Sequence, residues 1–110
     1  KDCFLLGFSQ GGMITYEFGN FLQDCMGGLA ILSGRILKAD QLINPYLKKT
    51  PIFISHGIKD EVLPVNDFYE SCKFLKNNNF FYEEHLLLED SHTISLKAIN
   101  LLQKFIKKNL

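Results

Sequence analysis

The sequence lacks an excess of either charge. Over 110 residues, twelve basic side chains balance twelve acidic ones and leave no net charge with histidine neutral. Without a basic excess or a charge run, neither nucleic acid nor an anionic membrane surface is an expected partner. The terminal "KFIKKNL" reads instead as the lysine-edged end of a helix, where cations suit the macrodipole. No apolar run approaches the roughly 20 residues needed to cross a bilayer, so no membrane span is expected. There are three cysteines, Cys3, Cys25 and Cys72, with no C-x-x-C pair and no metal-ligand spacing. An odd number without a disulfide framework points to a reducing compartment, hence a cytoplasmic location, with the thiols serving as small apolar side chains. No His, Asp or Glu pair has helical or hairpin ligand spacing, and no metal site is expected. The chain also lacks an initial methionine; starting at Lys1, it is expected either to continue something upstream or to have been processed.

What is present is an ordinary globular composition, 46% hydrophobic and 13% aromatic, sufficient for one core and one domain over residues 1–110. "CFLLGF" is an unbroken apolar run ended by glycine, as in a strand buried on both faces. From Gln10 to Gln23 the period changes, and Ile14, Phe18, Phe21 and Leu22 outline an amphipathic helix. "GGLAILSG", residues 27–34, is a second strand; residues 35–50 read as loop with a short helix; "PIFISHG", residues 51–57, is a third strand. Asn66 is placed to cap a helix with Phe68, Tyr69, Cys72 and Leu75 on its apolar face. "FFYEEHLLL" is a fourth strand, and Ser95 caps a last helix carrying Ile94, Ala98, Leu101, Leu102 and Phe105. Strand and helix alternate four times, which predicts an α/β fold: a parallel sheet with right-handed crossovers and flanking helices. Function in such sheets gathers at the carboxyl ends of the strands. Ser9, Asp60 and His92 each follow a predicted strand.

Gly7-Phe8-Ser9-Gln10-Gly11 fits G-x-S-x-G between a strand and a helix, the setting in which a sharp turn exposes a nucleophilic hydroxyl. Flanking glycines are expected to remove collisions at that corner, and the helix N-terminus is expected to face a developing oxyanion. A serine hydroxyl needs a base to take its proton, and a histidine base needs an acid to fix its tautomer. Rivals for these roles are His85 within the fourth strand, His56 at the end of the third, and Glu89 or Asp90 beside His92. His56 reads better as a supporting group, and the two acids stand too near His92 in sequence for the usual layout.

"GFSQGG" at 7–12, "LSG" at 32–34, "PIFISHGIKDEVLPV" at 51–65 and "SHTIS" at 91–95 together resemble the phospholipase/carboxylesterase family of α/β-hydrolases, which includes the acyl-protein thioesterases. The resemblance runs along most of the chain but covers only the C-terminal half of the family's fold, about four strands. It implies Ser9 as nucleophile, Asp60 as orienting acid, His92 as base and the Gln10 backbone N–H as one oxyanion donor. It further implies a small acyl ester or thioester substrate and no cofactor. Ser91 stands where the family usually has glycine before the histidine, and a modest shift of that loop is expected. The early strands and the loop bearing a second oxyanion donor have no counterpart here. The first strand is therefore expected to form an open edge exposing Phe4, Leu5, Leu6 and Phe8, to be met by the missing N-terminal half or by a second copy.

Overall fold

A computed structural model describes residues 3–36 and 42–110; the rest of the 35–50 loop reading, residues 37–41, lies outside the described residues. Four strands alternate with four helices: β1 (Phe4–Phe8), α1 (Gln10–Gly19), β2 (Gly28–Leu32), α2 (Pro45–Lys48), β3 (Ile52–Gly57), α3 (Val65–Asn77), β4 (Tyr82–Leu87) and α4 (Leu96–Lys108). The strands form one parallel sheet in the order β1-β2-β3-β4, with Phe8 beside Leu32 and Gly57 beside Leu87 at the carboxyl ends.

The two central strands are buried throughout, which is why their sequences are apolar without alternation. Their side chains still divide by the period of two. Leu29, Ile31, Ile52 and Ile54 join Tyr16, Phe68 and Leu75 on the α1 and α3 side, while Ala30, Leu32 and Phe53 meet Phe105 of α4 on the other. The sheet thus carries helices on both faces, and β1 and β4 are its edges among the described residues.

Three boundary or packing expectations change. Helix α1 stops at Gly19, and Ile14, Phe18 and Phe21 are exposed at 63%, 48% and 78%; of the predicted face only Leu22 is buried. The helix instead buries Gly12, Thr15, Tyr16 and Gly19, which recur at i, i+3, i+4 and i+7 and so also share one helical face. Glycine brings the helix close: a Cβ on Gly19 would sit 2.6 Å from Leu47 Cδ1. A count of apolar side chains cannot see a face built from two glycines and a threonine. Asn66 lies inside α3, whose cap position is Pro64, because the helix begins one residue after that proline. Ser95 does cap α4, its hydroxyl accepting the Ala98 N–H. At the β1 edge Leu6 is exposed, while Phe4, Leu5 and Phe8 are half-buried, Phe4 packing edge-on against Phe105 at 6.3 Å.

Candidate active site

Ser9 occupies the single residue between β1 and α1, and its backbone pays for the sharpness of the corner with φ 59° and ψ −121°, a region most side chains avoid. Neighbouring backbone holds it there. Ser9 N–H donates to the Leu32 carbonyl at 2.7 Å, and the Ser9 carbonyl accepts from Gly12 N–H at 2.9 Å. Gly7 has no room for a side chain, since a Cβ would lie 2.1 Å from the Gly11 carbonyl oxygen. Gly11 differs from expectation: its Cβ position is open, with nothing within 4 Å. The constraint on that side falls on Gly12 and Gly34, where a Cβ would lie 3.1 Å from the Gly7 carbonyl oxygen and 2.9 Å from the Ser9 carbonyl oxygen, respectively. The first N–H of α1, at Gln10, has no acceptor one turn earlier within the helix.

The loops after β3 and β4 meet over Ser9. His92 Nε2 lies 2.8 Å from Ser9 Oγ, and His92 Nδ1 lies 2.6 Å from Asp60 Oδ2. The Asp60 side chain is fully buried and that of His92 is 16% exposed. Phe8 packs its ring 4.9 Å from the imidazole. The loops close because Gly57 ends β3 without a side chain; a Cβ there would stand 2.3 Å from the Asp90 carbonyl oxygen. Gly57, Gly12 and Gly34 were not assigned steric roles from the sequence, although each lies in a glycine-bearing motif noted there.

The rival side chains point elsewhere. His85 Nε2 pairs with Glu83 Oε2 at 2.8 Å, its ring lying on Phe53, and Lys108 holds the other Glu83 oxygen. Asp90 accepts from the Ser95 hydroxyl, and Glu89 is exposed with Lys59 3.9 Å away. His56 is buried and touches the Asp60 loop. Among the described residues no three His, Cys, Asp or Glu side chains converge as metal ligands, and no helix is long and apolar enough to cross a membrane. A cleft of about 530 Å³ at the opposite ends of β3 and β4, lined by Phe81, Lys108 and Asn109 among others, contains none of the Ser9, Asp60 and His92 side chains.

Asp60, as a carboxylate, only accepts; the His92 proton is therefore assigned to Nδ1, leaving Nε2 to accept from the Ser9 hydroxyl. Such a chain can take a proton from an attacking oxygen and stabilise the imidazolium that results. Burial alone would raise the Asp60 carboxyl. Hydrogen bonds from His92, Leu63 and Val62, with the charge of His92, outweigh it and hold the carboxyl below its ordinary range. A folded value below the unfolded one contributes stability that is fully present above the ordinary carboxylate value of about 3.9 and is lost as pH falls through the lower folded value. Asp60→Asn is expected to cost on the order of 1–3 kcal/mol at neutral pH and to flatten the loss of stability below about pH 4. Thermal melts of both forms from about pH 7 to pH 2 check this; an Asn variant as acid-sensitive as the parent refutes it.

The phospholipase/carboxylesterase family model matches residues 1–110. A probable carboxylesterase of Oryza sativa subsp. japonica is 33% identical over 113 residues, covering all of this chain and 42% of that protein. Acyl-protein thioesterase 1 of Emericella nidulans is 32% identical over 112 residues, covering 93% of this chain and 45% of its own. The crystal structure of Arabidopsis thaliana SOBER1 superposes with a TM-score of 0.87 at 30% identity, over 96% of this chain and 52% of that one. The chain thus spans about half the length of the relatives it matches.

Proposed function

From the premise that the chain belongs to the phospholipase/carboxylesterase family, we propose that it carries the catalytic triad of a serine hydrolase acting on carboxylic esters or acyl thioesters. Ser9 Oγ attacks the acyl carbonyl carbon as His92 Nε2 takes its proton, and Asp60 steadies the imidazolium. The carbonyl oxygen, now an oxyanion, is met by the Gln10 backbone N–H. The intermediate collapses to an acyl-serine as His92 returns the proton to the departing alcohol or thiol. Water, deprotonated by His92, then releases the acid and restores Ser9. No step calls for a cofactor.

The observation that supports this reading is the continuous pair of hydrogen bonds, Ser9 to His92 at 2.8 Å and His92 to Asp60 at 2.6 Å, at the carboxyl end of a parallel sheet. A fluorophosphonate tests it, because phosphonylation of Ser9, with loss of the hydroxyl proton and of fluoride, requires the activated hydroxyl and not a complete substrate site. Labelling is expected at Ser9 alone and is expected to fall at least about 100-fold in His92→Ala. Equal labelling in that variant would remove His92 as base.

The alternative to this reading is a non-catalytic remnant or a partner-dependent half of a hydrolase, and the same reagent separates them. Complete absence of Ser9 labelling, alone and with a complementing front half, would favour the remnant. Labelling that appears only with the complement would favour the partner-dependent half.

A further inference from the structure

Asp60 is held by more than His92. Its Oδ1 accepts Val62 N–H and Leu63 N–H, each at 2.8 Å, while Oδ2 faces His92 Nδ1 at 2.6 Å and His56 Nε2 at 3.3 Å. His56 stands on β3 with its side chain fully buried, its ring 5.8 Å from that of Phe68. Its Nε2 is 2.8 Å from the Leu63 carbonyl oxygen. A carbonyl oxygen only accepts, so the proton belongs on Nε2. Nδ1 is then a bare lone pair, buried with no hydrogen-bond partner among the described residues. A leucine would fill such a space without stranding a polar atom, so what this position uses is the Nε2–H donor.

We infer that His56 is a positioning residue for the proposed Ser9–His92–Asp60 relay: its Nε2–H donates to the Leu63 carbonyl and so fixes the turn that holds Asp60. The anchor matters because the same turn supplies both backbone donors to Oδ1. With Leu63 held at its carbonyl and its N–H, the carboxylate plane has one orientation, and Oδ2 is aimed at Nδ1 of His92. The inference rests on the reading of the three side chains given above. The groups facing His92 are Asp60 from the loop after β3, with His56 behind it, and Ser9 from the β1–α1 corner. On the loop of His92 itself, Asp90 is engaged by Ser95, and Glu89 lies near Lys59.

Ring-nitrogen NMR of the ¹⁵N-labelled chain tests this without requiring turnover. His56 is expected as the Nε2–H tautomer. In His56→Leu, the turn that holds Oδ1 loses its anchor and Oδ2 is no longer fixed on Nδ1. The downfield Nδ1–H proton signal of His92, the signature of its hydrogen bond to Asp60, is then expected to move upfield or be lost to exchange. His56→Gln, whose amide N–H can reach the Leu63 carbonyl, is expected to restore that signal. A residue that only fills the core would change stability and leave the His92 signal in place. An Nδ1–H tautomer for His56, an unchanged His92 signal in a folded His56→Leu, or a Gln variant that behaves like Leu would each overturn the inference. Should His56→Leu fail to fold, the tautomer in the parent chain decides. Ser9 labelling by the fluorophosphonate is scored separately, so a failure of the nucleophile assignment is distinct from a failure of the positioning role.

Discussion

Ser9→Ala is expected to lower ester or thioester turnover by about 10⁴-fold or more in any assembly of this chain that turns over, with the fold intact. The expectation of intact folding comes from what holds the corner. Ser9 is fixed by its backbone, through the Leu32 carbonyl and the Gly12 N–H, and its side chain makes no cap bond to α1. Alanine keeps those backbone bonds and the same strained φ, and loses only Oγ. His92 Nε2 then has no hydroxyl to deprotonate, while oxyanion contacts remain and account for whatever residual rate is seen. Turnover of a chromogenic ester, measured beside a thermal melt, checks both halves. Retention of more than about a tenth of the activity would show that the nucleophile is misassigned.

Adding the front half that the sequence resemblance implies is expected to raise turnover of the chain by about 10²–10³-fold, the usual cost of one lost oxyanion donor. The physical case lies at the β1 edge. Among the described residues β1 pairs with β2 alone, and "FLLGF" carries neither proline nor charge to block another strand. Beside that edge Leu6 is 49% exposed. Ile14 and Phe18 on α1, and Phe21 just after it, are exposed among the described residues. At about 25 cal/mol per Å², hiding a few hundred Å² of such surface favours association by several kcal/mol before entropy is counted. We propose that a complementing front half covers it, and that the isolated chain self-associates through the same edge. Light scattering and esterase assays on the chain, with and without a front half borrowed from a relative, distinguish the outcomes. A monodisperse monomer whose turnover the complement does not change would refute the proposal.

Much of the fold and of the candidate site was legible in the sequence because the signals are local. Strands buried on both faces must be apolar without interruption, so β2 and β3 stand out from composition alone. The alternation of strand and helix then implies a parallel sheet whose carboxyl ends gather Ser9, Asp60 and His92, wherever those residues fall along the chain. Capping is local too, and Ser95 was visible for that reason.

What only the tertiary structure decided depends on distances between segments remote in sequence. Periodicity scores side-chain hydropathy, so it points to Ile14, Phe18, Phe21 and Leu22, of which only Leu22 is buried; the helix makes its contact through Gly12, Thr15, Tyr16 and Gly19, where small size sets how closely it approaches its neighbours. The same blindness gave Gly11 a steric role that Gly12 and Gly34 perform, since a missing Cβ matters only where another segment occupies its place. Three carboxylates, Asp60, Glu89 and Asp90, and three histidines offered several acid–base pairings by residue type. The hydrogen bonds that join His92 to Asp60, turn His85 to Glu83 and bury His56 behind the Asp60 loop come from β3, β4 and their loops meeting in space. A local pattern can specify which groups are available. Which of them lie within 3 Å of one another is a property of the packed chain, because hydrogen bonds weaken steeply with distance and angle and no one-dimensional spacing encodes either.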